Sequence, residues 1–266
     1  MLGSIIGDVI GSVYEFHKTK ETNFLLFSEK SKFTDDTVLT IASAIAVLEG
    51  RRDYDWLYKK YALDYMGRGW GARFAAWAAA KDMQPAYNSW GNGSAMRITP
   101  IGYAFDDIEK VIEEAAISAA VTHNHEEGIK GAQALAAAIY LALHGDSKEQ
   151  IRSYIADRFD YDLRRTIVEI RPTYTFDVSC QGSVPEAIIA FLDSNNFEET
   201  IRLAVSLGGD ADTLACMAGG LAEAFYTDVP VFMIEETWKR LPKDFQKVVV
   251  DFYKMIDERR SNTKVS

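Results

Sequence analysis

The chain has 266 residues, 48% of them hydrophobic and 26% charged, a globular composition long enough for one large core. A net charge of -10 excludes an extended nucleic-acid surface, which needs clustered Lys and Arg; a small anionic ligand held through a metal stays compatible with it. The two cysteines, Cys180 and Cys216, show no CxxC spacing, so no disulfide framework is expected and a reducing cytoplasm is the default setting.

Residues 1–13 are apolar but lack a basic segment, carry Asp8 in the middle and are too few to cross a bilayer, so they read as a helix over 2–14, not a signal peptide or membrane anchor. Gly3, Gly7 and Gly11 share one face of it. Glycine costs about 1 kcal/mol per helical position relative to Ala, so three on one face predict close approach of another backbone. Glu15 ends this segment; a lone glutamate there is ordinarily just solvated.

Apolar residues at helical spacing predict further helices over 35–49, 54–66, 108–121, 126–144, 148–157, 184–192, 197–206, 212–226, 232–241 and 244–259. Gly50 and Gly145 sit where C-terminal caps belong, and Pro185, Pro230 and Pro242 at or just before helix starts. Only 174–179, where Tyr174, Phe176 and Val178 alternate with polar residues, reads as a strand. One strand makes no sheet, so the expected class is all-α: a compact single domain over 1–266, an orthogonal helix assembly with a frayed tail over 260–266.

Two acidic clusters carry the chemistry. Thr34-Asp35-Asp36-Thr37 and Gly208-Gly209-Asp210-Ala211-Asp212-Thr213 each open an apolar helix. Asp and Thr are common N-caps, and the helix dipole favours an Asp in the first turn. A cap needs one oxygen acceptor or two, whereas each cluster offers three or more. Unpaired carboxylates at the end of a buried helix cost desolvation and mutual repulsion. A hard divalent cation such as Mg2+ or Mn2+ removes both costs and prefers oxygen ligands.

Other segments are weaker signals. Gly91-Asn92-Gly93-Ser94-Ala95-Met96-Arg97 is a flexible loop entering a helix, able to cradle phosphate or ribose oxygens, or an ordinary turn. Arg68 to Phe74 interleaves glycines with aromatic and basic groups. Thr122-His123-Asn124-His125-Glu126 puts two histidines at a helix start without a third zinc ligand. There is no GxSxG elbow and no Cys-His pairing for nucleophilic catalysis.

In this order the motifs Gly7 to Glu15, Phe33 to Thr37, Gly91 to Arg97, Thr122 to His125 and Gly208 to Thr213 resemble the ADP-ribosylglycohydrolase family, in its dinitrogenase reductase-activating branch. The resemblance implies an all-α fold with two Mg2+ or Mn2+ ions in a central cleft. It implies Thr34, Asp35, Asp36, Asp210, Asp212 and Thr213 as metal ligands, with Asp212 bridging. It places Asn92, Gly93, Ser94, Met96 and His123 in the substrate pocket and Glu15 beside the distal ribose. Asp35, Asp36 and Asp210 are then the candidate proton acceptors, and Glu15 joins the catalytic set by gating or positioning the substrate.

The implied reaction is metal-dependent hydrolysis of the glycosidic bond between ADP-ribose and a protein side chain, nucleic-acid base or small molecule. The expected enzyme is a cytoplasmic monomer with no membrane partner. Residues 66–74 lack the carboxylate of arginine-directed members, and Glu126 replaces the usual Pro; both departures bear on the acceptor. Two other readings are a non-catalytic ADP-ribose-binding protein on this fold and a dinuclear-metal nucleotide phosphohydrolase.

Overall fold

A computed structural model describes residues 1–263. Among these residues are fifteen helices and no named strand. The first five are α1 (Leu2–Gly11), α2 (Asp35–Glu49), α3 (Tyr54–Asp64), α4 (Ala72–Ala79) and α5 (Gly93–Met96). Then come α6 (Thr99–Ala104), α7 (Ile108–Ala120), α8 (Glu126–Leu143), α9 (Lys148–Phe159) and α10 (Ile167–Ile170). The chain closes with α11 (Cys180–Asp193), α12 (Phe197–Val205), α13 (Ala211–Tyr226), α14 (Val231–Trp238) and α15 (Lys243–Thr263).

The centre of the molecule is α13, every residue of which from Ala211 to Ala222 is buried. A helix covered on all sides must be apolar all round, and α13 is so except in its first turn. Its neighbours are α1, α12, α11 and α8, and α1 is itself buried along its whole length. Small residues explain how these two meet. A Cβ built on Gly3 would overlap the Gly219 carbonyl, one on Gly7 the Ala215 carbonyl, and one on Gly11 the backbone of Asp212. Ascending α1 therefore descends α13: the pair is antiparallel, and the C-terminal end of α1 lies against the N-terminus of α13. Gly7→Ala is expected to cost about 3 kcal/mol, seen as a lower urea midpoint at unchanged m-value; a wild-type midpoint would show that this packing yields.

Several expectations are refined. The N-terminal helix stops at Gly11 and continues as a turn through Phe16. Gly50, at φ 63°, ends α2 as its C-cap, and Gly145 takes φ 86° just beyond α8. The last helix runs on to Thr263, past the expected start of a frayed tail at 260; residues 264–266 lie outside those described. Pro185 is not at a helix start. It lies inside α11, which begins four residues earlier than expected, because the Ser179 hydroxyl caps it by accepting from the Gly182 N–H at 3.1 Å.

The strand over 174–179 is not formed. Its only ladder contact is an isolated bridge between Gly91 and Ser179, flanked by bonds from the Asn92 N–H to the Val178 carbonyl and from the Cys180 N–H to the Trp90 carbonyl, both 2.8 Å. No neighbouring extended segment completes a sheet. The alternation arises because Phe176 and Val178 are exposed at the mouth of a cleft.

Candidate active site

The antiparallel seam decides where the acids meet. It brings Asp8 and Glu15, from α1 and the turn after it, to Asp210 and Asp212 at the start of α13. Asp8 also ties in α2. Its Oδ2 accepts from the N–H groups of Thr34 at 2.9 Å and Thr37 at 3.1 Å, and its Oδ1 from the Thr34 hydroxyl at 2.7 Å. The Thr37 hydroxyl adds a further short bond to Oδ2. These N–H groups are among those a helix leaves unpaired in its first turn, so Asp8 caps α2 from another helix. Sequence reasoning assigned Asp8 no role; the available signal was a charge inside an otherwise apolar, glycine-faced helix, which demands partners once buried.

Two trios of carboxylates form at this junction. Asp8, Asp36 and Asp212 each place an oxygen within 4.8 Å of the others, as do Glu15, Asp210 and Asp212. Asp212 belongs to both. The capping explanation accounts for part of the first cluster only: Thr34 is the N-cap of α2, accepting from the Asp36 N–H at 3.4 Å. Asp210 occupies the N-cap position of α13 but makes no capping bond; its Oδ2 accepts instead from Asn92 Nδ2 at 2.7 Å. Asp36 Oδ2 lies 3.3 Å from the hydroxyls of both Thr34 and Thr213. Asp36 Oδ1 is buried with no partner. Asp35 stands at the edge, half-buried, its N–H donating to the Arg68 carbonyl at 2.9 Å.

None of these six carboxyls is matched by a Lys or Arg at ion-pair distance among the described residues. Burial therefore raises every one above the ordinary carboxylate range. Burial, then the neighbouring charge of Asp8, pushes Asp35 up to about 8. Burial followed by Asp210 pushes Glu15 up to about 7. Asp36 and Asp212 are driven well above their usual values by burial and by adjacent carboxylates. Asp8 and Asp210 are raised by burial in spite of the hydrogen bonds each accepts. A divalent cation fits such a group: the donors are all oxygen, one buried lone oxygen is unused, and the repulsion needs a counter-charge.

All of these acids except Asp8 line a cleft of about 460 Å³, within the range small-molecule sites use. A larger groove of about 1360 Å³ between α14 and α15 holds none of the grouped carboxylates. Arg73, Phe74, Tyr87 and His123 line the same cleft, with Arg73 over the Tyr87 ring at 5.0 Å and the Tyr87 and His123 rings 6.1 Å apart.

Asn92, Gly93, Met96 and His123 line the cleft. Ser94 is turned away: its hydroxyl donates to the Gly128 carbonyl at 2.7 Å and is buried, leaving only its backbone for the pocket. Burial, aided by the Arg97 and Arg73 guanidinium charges, holds the His123 pKa well below the usual value. His125, the other histidine of that motif, is the N-cap of α8, accepting from the Glu127 N–H at 3.1 Å.

Comparison with known proteins shows what the whole chain is similar to in sequence and in fold. The family model described as ADP-ribosylglycohydrolase matches residues 1–262. ADP-ribosylhydrolase ARH3 of Homo sapiens is 27% identical over 326 aligned residues, covering 93% of this chain and 89% of that protein. ADP-ribosylarginine hydrolase Tri1 of Pseudomonas putida (strain GB-1) is 27% identical over 302 aligned residues, covering 97% and 78%. A solved chain described as an ADP-ribosylglycohydrolase-related protein complex superposes with a TM-score of 0.72 at 26% identity, covering 96% of this chain and 95% of its own.

Proposed function

The chain belongs to the ADP-ribosylglycohydrolase family, hydrolases of ADP-ribose linkages, and we propose that it works with two divalent cations, Mg2+ or Mn2+, held at the junction of α1, α2 and α13. The observation that carries this reading is the two largely buried carboxylate trios sharing Asp212. Asp36, Asp210 and Asp212 would hold the ions, Asp212 in common, with Asp35 and the hydroxyls of Thr34 and Thr213 completing the set. Asp8 already accepts four hydrogen bonds, about the capacity of a carboxylate, so its part is to anchor α2. Such cations supply positive charge and Lewis acidity.

The remaining steps belong to the chain's own groups. Asn92 fixes the Asp210 carboxylate through its amide. The distal ribose would lie over the acids, where negative charge stabilises an oxocarbenium-like centre as the bond to the acceptor breaks. Asp36 and Asp210 are buried and Glu15 and Asp35 half-buried, and all four line the cleft. Asp35, the least buried of the three candidate proton acceptors, would take the proton of the attacking water, with Glu15 positioning the ribose. Tyr87, half-buried in the cleft wall, offers a ring on which a nucleobase can stack.

No described helix is long and apolar enough to cross a membrane. Both thiols are free and buried, and we place the reaction in the cytoplasm.

The test is mass-spectrometric detection of products from ADP-ribosylated arginine, serine, a nucleic-acid base and O-acetyl-ADP-ribose, with and without EDTA. Intact ADP-ribose, released only with metal, is the expected result. AMP or phosphate would instead mean a phosphohydrolase. Binding of ADP-ribose with no release from any conjugate would favour a binding protein on this fold.

A further inference from the structure

His123 is 5% exposed, and its Nε2 faces the gap between Gly91 and Gly93 in the cleft wall. A Cβ on Gly93 would lie 3.2 Å from Nε2, and one on Gly91 3.5 Å. The glycines thus leave Nε2 open to a ligand, and no described residue hydrogen-bonds to it. The other ring nitrogen, Nδ1, lies 2.8 Å from the Thr122 hydroxyl. That hydroxyl is fully buried and also lies 3.0 Å from Arg97 Nη2.

Proton accounting fixes the ring. A guanidinium has donors only, so Arg97 donates and the Thr122 oxygen accepts. The single Thr122 proton then has one acceptor in reach, Nδ1. If Nδ1 carried the proton instead, a fully buried hydroxyl would be left with nothing to donate to, which costs the full desolvation of that group. Arg97 is itself fully buried with no carboxylate partner, and its Nε and Nη1 are unpaired. It leans on the Tyr58 ring, 4.1 Å from the centroid. We propose that Arg97 and Thr122 are positioning residues that lock His123 as the Nε2–H tautomer, a neutral donor aimed at an oxygen of the bound ligand. The depressed His123 pKa agrees with this, since the same guanidinium disfavours a second proton on the ring.

That His123 is a neutral donor rests on this geometry alone; that the oxygen belongs to ADP-ribose rests on the proposed function. The test is 15N NMR of the histidine side chains in the intact protein, with His123→Gln identifying the resonance among the four histidines. The wild type is expected to show a protonated Nε2 and a bare Nδ1 at neutral pH. Thr122→Val should populate the Nδ1–H form and weaken ADP-ribose binding about tenfold, while Thr122→Ser, which keeps the hydroxyl, should restore both. Arg97→Gln should shift the tautomer in the same direction as Thr122→Val. A wild-type ring protonated on Nδ1, or a Thr122→Val ring identical to wild type, overturns the proposal. Failure of the wild type to bind ADP-ribose would count against the hydrolase reading and leave the tautomer to be decided by the spectra.

Discussion

Asp212→Asn is expected to lower turnover by about a thousandfold and, in EDTA, to make the protein more stable than wild type. Asp212 contributes an oxygen to both carboxylate trios, so neutralising it weakens both halves of the site at once. The same buried group repels Asp210 and Asp36 when no cation is present, and the amide keeps its shape while removing its charge. A gain of roughly 1 to 2 kcal/mol in the metal-free state is of the size that relieving active-site strain gives. Steady-state release of ADP-ribose gives the first number and urea midpoints in EDTA the second. Wild-type turnover, or a metal-free variant less stable than wild type, would remove Asp212 from the centre of the site.

The second large effect is the dependence of metal-free stability on pH. Each of the six carboxyls is raised in the folded state, so the folded protein binds more protons than the unfolded chain between the two pKa values. Stability therefore falls as pH rises through that interval. The loss begins near the ordinary carboxylate range and continues through the titration of Glu15 at about 7 and Asp35 at about 8. Asp36 and Asp212, raised well above their usual values, add to it. Saturating Mg2+ should abolish the decline, because a cation favours the ionised forms, and its uptake should release protons and tighten as pH rises through this interval. Thermal midpoints across this range, with Mg2+ and with EDTA, are expected to diverge as pH rises. Stability that instead climbs with pH in EDTA would mean that the carboxyls are already paired without metal.

What was readable beforehand follows from how local each signal is. The two acidic clusters stood out because each carries more oxygens than a helix end can use, a property of a few adjacent residues. The glycine face of α1 was equally local, and it announced a tight seam without naming α13. Asp8 escaped because its partners Thr34 and Thr37 lie on another helix, and spacing along one helix says nothing about what meets it.

Arg97 was in view as part of a motif, yet its burial and its link to Thr122 depend on how α5 and α7 pack. The short helices α6 and α10 were passed over because four to six residues are too few for helical periodicity to register, and α4 because its start lies in the glycine-interrupted segment Arg68 to Phe74. The alternation over 174–179 was genuine, but it reflects a chain running along the mouth of the cleft with one paired neighbour, Gly91.

The claim at the centre of this account is that the junction of α1, α2 and α13 holds two cations through a shared Asp212. Anomalous diffraction from a crystal grown with Mn2+ locates them without reference to substrate. Two peaks among Asp36, Asp210 and Asp212, absent in Asp212→Asn, are the predicted result. A protein that hydrolyses its conjugate with Mn2+ bound elsewhere, or with none bound, would contradict it.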